Sequence, residues 1–501
     1  MSDGYLGAGG RLEGGPAPEL VAGAYAHEID AAPRLAPWLS LADLAHAVAL
    51  AEAGAIPADD ARGLLGGLLD LDAAGPGALA WRPELGDAFN SREAALTERV
   101  GPAAAGWLSA GRPRREAFRV ALRLCARAGA LDLHDALLAA ADAMTDLAER
   151  HAGDLAADYT YLQPAQPTTI GHLLLAYAAP ATPRSSRAWA ARRRSASRSA
   201  GAGGSAGSSW PLDRARLADL LGCSGVVPHT KDAMWQADVY AELVAAVAIA
   251  ATHGSQLAQD LEILASREFA AVELADRHSR ASALMPQKRN PYALAAIRTQ
   301  AGVAAGDLAA LLVTLHTGSA RTDHFHLLNG SVPRLLDQSA AVARLEAEVV
   351  AGLEVRPDRF ARAARDGFTS AADVADVLAQ EAGLDYRTAH RVVGRAVRDL
   401  VAEGLPPDAL TPDRIARAGE AAGSPAAISA EALAAALDPA AAAASRLQAG
   451  SSAPGEVAAM VADARRAIAA GRRFSEDARA GEAVAREALL GEARALAGRP
   501  G

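Results

Sequence analysis

The chain is 501 residues long, 51% hydrophobic but only 4% aromatic, with a formal net charge of −9 at pH 7. Single cores stop growing at roughly 250–300 residues, so two or three domains are expected, and a sequence this rich in alanine should build them from helices. The modest acidic balance, without a long basic stripe, argues against nucleic acid as the main partner; the two cysteines, Cys125 and Cys223, form no disulfide framework and lack metal-ligand spacing.

The polar, Gly-rich start, MSDGYLGAGG, does not read as a secretory signal, and no uncharged run reaches membrane-spanning length. A soluble, cytoplasmic protein with no membrane partner is expected. From Leu39 to Leu71 two short helices are predicted, broken at Gly54 and Pro57, with Asp59 and Asp60 in the first turn of the second. After Pro113, apolar residues at Leu133, Leu137, Ala141, Met144 and Leu147 recur at helical spacing and predict a core-facing helix. The run from Asp232 to about Glu268 carries Val239, Leu243, Val247, Leu257 and Leu261 on one face and predicts a single helix of roughly 50 Å. Two more long helices follow, over Tyr292 to His316 and Val332 to Gly352. Beyond Phe368 the helices shorten, broken by Gly383, Gly404, Pro406, Pro407 and Pro412. The expected architecture is all-α in three domains: an N-terminal helical domain over 1–114, a central long-helix bundle over 115–366 and a small C-terminal helical domain over 367–501. Between Thr182 and Ala200, arginines sit among Ser and Ala with no Leu, Ile or Val. That composition fits a solvated surface segment, a basic patch for an anionic partner, or a local reading-frame error.

The sharpest chemical signal is Ser282-Ala283-Leu284-Met285-Pro286-Gln287-Lys288-Arg289-Asn290-Pro291, ahead of a helical run. It resembles the signature loop of the fumarase/aspartase superfamily, G-S-S-x-M-P-x-K-x-N-P, with Ala281 and Ala283 replacing the glycine and second serine. The resemblance implies that Ser282 is the catalytic base and that Lys288 and Asn290 hold a substrate carboxylate. Such chemistry needs this combination. Removing a proton beside a carboxylate puts a second negative charge onto it, which a fixed ammonium and amide donor stabilise best away from water. A serine acts as the base only if N–H donors stabilise its anion.

Further segments are similar to argininosuccinate lyase within that superfamily. Ser91 to Glu98 (SREAALTE) with Gly111-Arg112-Pro113-Arg114 is similar to N-I-E-A-R-L-T-E and T-G-R-S-R-N-D. Asp158 to Thr169 (DYTYLQPAQPTT) is similar to G-Y-T-H-L-Q-x-A-Q-P-x-T, and Gly201 to Ser209 to the Gly-rich G-A-G-A-L-A-G-T. Phe368 to Asp376 and Ala389 to Gly394 look like its C-terminal domain. The resemblance implies substrate-binding roles for Ser91, Arg112, Thr160 and Gln163. It also implies a homotetramer whose long helices form a twenty-helix core, each active site drawing on three subunits. No metal or cofactor is called for, and the partner is a small-molecule carboxylate.

The departures cluster at one end of that site. The T-H-L-Q histidine is Tyr161 and the carboxylate that orients it is Ala295, so both members of one charge pair are absent together, as losing one alone would be costly. The histidine of the first segment is Phe89, the S-R-N-D run is Pro113-Arg114-Arg115-Glu116, and Y-N-x-D-L-Q-x-D-K is replaced by Asp323 to Ser331. The expected function is β-elimination that releases fumarate or a related unsaturated acid with an altered leaving group. Argininosuccinate lyase itself and a silent, crystallin-like homologue are the alternatives. Tyr161, with a neighbouring cation such as Arg112, and His324 and His326 are the candidates for the missing general acid.

Overall fold

The computed structural model describes residues 14–178, 197, 198, 200–318, 321 and 323–500. Apart from 197, 198 and 200, the Arg-rich segment lies outside the described residues. The fold is all-α apart from short two-stranded sheets. Helices Ala32–Glu52 and Ala58–Ala74 form the expected N-terminal pair. The first starts seven positions before Leu39, because Leu35 and Ala36 already face the core. A third helix, Ala88–Ala105, is capped by Asp87, whose carboxylate accepts from the backbone N–H groups of Phe89 and Asn90 at 3.1 and 3.3 Å.

Four long helices make the central bundle: Arg114–Arg150, Asp238–Leu264, Tyr292–Thr314 and Asp323–Ala351. The first is 37 residues long, about 55 Å at 1.5 Å per residue. It packs along Asp323–Ala351, while Asp238–Leu264 packs along Tyr292–Thr314. Two boundaries differ from expectation. The run from Asp232 divides into Thr230–Trp235 and Asp238–Leu264, because Ala237 leaves the helical region at ψ 0°. The last bundle helix begins at Asp323, nine residues before Val332, and carries Pro333 inside it.

Tyr292–Thr314 is apolar yet poorly covered: Leu312 and Val313 are 51% and 72% exposed. By length and composition alone this helix could cross a membrane. Its two charges, however, point sideways into the bundle, Arg298 to Glu262 and Asp307 to Arg334.

Downstream of the first bundle helix, Leu155–Thr160 and Gln163–Thr169 form an antiparallel hairpin. Pro164 and Pro167 cannot continue a helix, which forces this stretch into extended backbone. Tyr161 and Leu162 make its tight turn, both with positive φ, 52° and 58°. The C-terminal helices Ala371–Ala382, Tyr386–Glu403, Pro412–Ala421 and Ala430–Leu437 close around their own core of Val374, Leu378, Val392, Leu400 and Ile415. The expectation of only short helices beyond Phe368 fails at Pro454–Leu496. This 43-residue helix runs back along Arg114–Arg150 and Ala58–Ala74. Its arginines meet acids on those helices, Arg465 to Asp142 at 2.8 Å and Arg479 to Asp132 at 2.7 Å, so cross-helix charge pairing supplements a weak apolar stripe.

Candidate active site

The signature loop is a short hairpin that delivers the chain into Tyr292–Thr314. Arg280–Ala281 pairs antiparallel with Arg289–Asn290, and Ser282 N–H donates to the Lys288 carbonyl at 3.3 Å. This closure turns the backbone so that the N–H groups of Leu284 and Met285 both donate to Ser282 Oγ, at 3.3 and 3.0 Å. Two main-chain donors on one hydroxyl oxygen would stabilise an alkoxide there. Asn290 Nδ2 donates to the Arg280 carbonyl at 2.9 Å, which fixes the amide across the loop's neck. Arg289 anchors the neck to Glu273 and to Asp276, the latter at 2.9 Å. The Lys288 ammonium makes no hydrogen bond or ion pair among the described residues, and Leu284 is 84% exposed. The loop thus stands open on one chain, with the Ser282 hydroxyl, the Lys288 ammonium and the Asn290 amide on one short hairpin.

The hairpin carries the second group of residues. Thr160 and Gln163 are paired across its turn, and Tyr161 at the tip is fully exposed. Gln163 Nε2 donates to the Leu162 carbonyl at 3.2 Å.

The N-terminal segment is arranged differently from expectation. Arg112 is 4% exposed, donating to the Ala42 carbonyl at 3.0 Å and to Asp43 at 2.7 Å. Asp43, itself fully buried, also accepts from Arg92 at 3.1 Å. Ser91 Oγ is buried and accepts from the Arg82 backbone N–H at 3.0 Å. Ser91 and Arg112 therefore both have buried partners within the chain. Next to Arg112, Glu116 accepts from the N–H groups of Gly201 and Gly203 at 2.6 and 2.8 Å. The Gly-rich stretch is thus a backbone loop wrapped on a carboxylate; at Gly203 an added Cβ would lie 2.5 Å from Gly207.

The two histidines differ sharply. His326 Nδ1 lies 2.5 Å from Glu28, and that carboxylate raises the imidazole above its ordinary range. His324 is 5% exposed; burial, then Arg119, lowers it, opposed only weakly by the Trp235 backbone and Asp323. Only a histidine of the first kind carries a proton near neutrality. Glu28 and Arg119 were not singled out in the sequence. Both act through partners distant in the chain, and nothing local marks either. Among the described residues no hydrogen bond or ion pair links the signature loop to Arg112, Thr160, Tyr161, Gln163, His324 or His326. Among the same residues no group of three or more His, Cys, Asp or Glu could hold a metal ion.

A bundle of long helices with a Ser-x-x-Met-Pro-x-Lys-x-Asn-Pro loop at the head of one of them defines a helical lyase of the fumarase/aspartase superfamily. The family profile described as Lyase matches residues 43–306, and that of the argininosuccinate lyase C-terminal region matches 368–444. Argininosuccinate lyase of Halobacterium salinarum is 36% identical over 460 residues, 91% of this chain and 92% of its own length. That of Methylibium petroleiphilum is 36% identical over 395 residues, 78% of this chain and 83% of its own. Among solved structures, EDDS lyase in complex with formate superposes with a TM-score of 0.85 at 27% identity, covering 97% of both chains. The chain belongs to the argininosuccinate lyase family within this superfamily.

Proposed function

We propose that the protein is a carbon–nitrogen lyase that eliminates an amine from an N-substituted aspartate and releases fumarate. The observation that carries this reading is the pair of N–H groups on Ser282 Oγ, in a loop that also bears Lys288 and Asn290. Ser282, as its alkoxide, takes the proton beside the substrate carboxylate. Lys288 and Asn290 bear the charge that develops on that carboxylate. The C–N bond then breaks as an acid protonates the departing nitrogen. His326 suits that step better than His324, since Glu28 keeps it protonated to higher pH. Tyr161 is the rival acid.

The sign of the pH dependence follows from that raised value. A His326 acid is active when protonated, so turnover should fall as pH rises through its folded pKa, above the ordinary 6.5. His326→Gln should lower turnover and flatten this limb of the profile. Unchanged turnover in His326→Gln, His324→Gln and Tyr161→Phe alike would sink the acid assignment and favour a leaving group that departs as a stable anion.

The exposed apolar face of Tyr292–Thr314 supports a homotetramer with shared sites. Light scattering at micromolar concentration should show four chains, and a stable monomer would count against it.

Argininosuccinate lyase itself is the second reading, favoured by the 36% identity to such enzymes. Against it stand Tyr161, Ala295 and the rebuilt 323–331 segment. A site that has lost several partners of a substrate should discriminate strongly against it. Fumarate release from argininosuccinate, followed by ultraviolet absorbance, is expected to be slower than from the true substrate by on the order of a hundredfold or more. Robust release would restore the second reading.

A further inference from the structure

The signature hairpin has two faces. Arg280 stands opposite Asn290 and Ala281 opposite Arg289, and the bond from the Ser282 N–H to the Lys288 carbonyl carries this register one pair further, with Ser282 opposite Lys288. Residues opposite one another in an antiparallel ladder share a face, and successive residues alternate. Ser282, Lys288 and Asn290 therefore lie on one face and Arg289 on the other. There the Arg289 guanidinium donates to Glu273 and to the Leu274 carbonyl, and it pairs with Asp276 at 2.9 Å. Glu273 and Leu274 belong to a fixed platform. Val272 pairs with Val355 in a two-stranded sheet, and Val272 and Leu274 are both buried. Glu273 is itself held by Arg356, which also pairs with Glu354 at 3.3 Å and donates its backbone N–H to the Ala271 carbonyl at 2.9 Å. A guanidinium fork can hold several acceptors at once in fixed directions, which suits Arg289 to a clasp.

Shape and orientation of the hairpin thus have different sources. The N–H groups of Leu284 and Met285 on Ser282 Oγ, and the Asn290 amide on the Arg280 carbonyl, fix its shape from within. Arg289 ties that shape to the rest of the chain. Lys288, whose ammonium makes no hydrogen bond or ion pair among the described residues, takes its direction from the backbone that carries it. We propose that Arg289 is a positioning residue: clasped by Glu273 and Asp276 on one face of the hairpin, it holds Ser282, Lys288 and Asn290 on the other in the orientation that receives the substrate carboxylate. This rests on the lyase reading above. Direct contact of Arg289 with the substrate is the competing role.

Fumarate is the probe for the carboxylate end, and calorimetric titration of the full-length protein measures its binding. Arg289→Met is expected to weaken fumarate about tenfold, and Arg289→Lys, which keeps the charge and part of the clasp, by no more than about threefold. Glu273→Ala combined with Asp276→Ala should reproduce most of the loss. Removing two carboxylates makes the surroundings more positive, so electrostatics alone would tighten fumarate, and a loss reports orientation instead. Adding Arg289→Met to that pair should cost little more, because groups that act through one contact are not additive. The clasp touches solvent, so all these variants should melt within about a few degrees of wild type. A clasp that served stability alone would lower melting and leave fumarate binding intact. Unchanged fumarate binding in Arg289→Met overturns the proposal. So does wild-type affinity in the Glu273→Ala, Asp276→Ala protein, which would make Arg289 itself a ligand of the carboxylate. The lyase reading is judged on other proteins. A wild type that binds no fumarate, or binds it no better than Lys288→Met does, sinks that reading and this role with it, whereas failure confined to the clasp variants sinks only the role.

Discussion

Replacing Ser282 with alanine is expected to lower turnover by roughly a hundred- to ten-thousandfold, the contribution of a positioned general base, while substrate affinity changes little. The asymmetry follows from the loop. Ser282 Oγ is held by the N–H groups of Leu284 and Met285, donors that matter most when the oxygen is an anion during proton transfer. Lys288 should behave differently, since in the proposed mechanism its ammonium meets the carboxylate in ground and transition states alike. Lys288→Met is therefore expected to weaken binding as well as turnover. Steady-state fumarate release on the true substrate separates the two patterns, and wild-type turnover in Ser282→Ala would refute the mechanism.

The largest expected effect on stability comes from a residue remote from the reacting atoms. Asp43 is fully buried between Arg92 at 3.1 Å and Arg112 at 2.7 Å, and both guanidiniums are 2–3% exposed on their side chains. Ser40 and the Ala42 carbonyl accept further bonds from the same arginines. Removing the carboxylate leaves two buried cations without a counter-charge, the situation that costs about 3–5 kcal/mol when one partner of a buried pair is lost. Asp43→Ala should therefore melt well below wild type or fail to accumulate as folded protein. Asp43→Asn, which keeps the shape and one acceptor oxygen, should fall between. Because Arg112 leads directly into Arg114 and Glu116, the folded fraction of either variant should also lose activity. A wild-type melting temperature in Asp43→Ala would show that the network contributes little.

What the sequence by itself determined was the helical class, the long bundle helices and the signature loop of the superfamily. These are local properties. Alanine content and apolar spacing at three and four residues fix where helices form, and Ser282, Lys288 and Asn290 lie within one nine-residue turn whose chemistry is legible without any partner. Helix ends were less legible. The break at Ala237 and the early start at Asp323 depend on packing against neighbouring helices, which overrides weak local preferences. The helix Pro454–Leu496 was missed because its apolar stripe is weak and its arginines find their acids on helices hundreds of positions earlier.

Only the tertiary structure decided which charged groups are free. In the sequence, Arg112 and Arg119 look alike, two arginines near a family motif. Folding gives the first a buried carboxylate at 2.7 Å and leaves the second over an aromatic ring with none among the described residues. His324 and His326 are likewise interchangeable on paper, yet Glu28 raises one while burial lowers the other. The reason is physical. A side chain's charge state and availability are set by desolvation and by partners brought from elsewhere in the chain, and neither is written in its own neighbourhood.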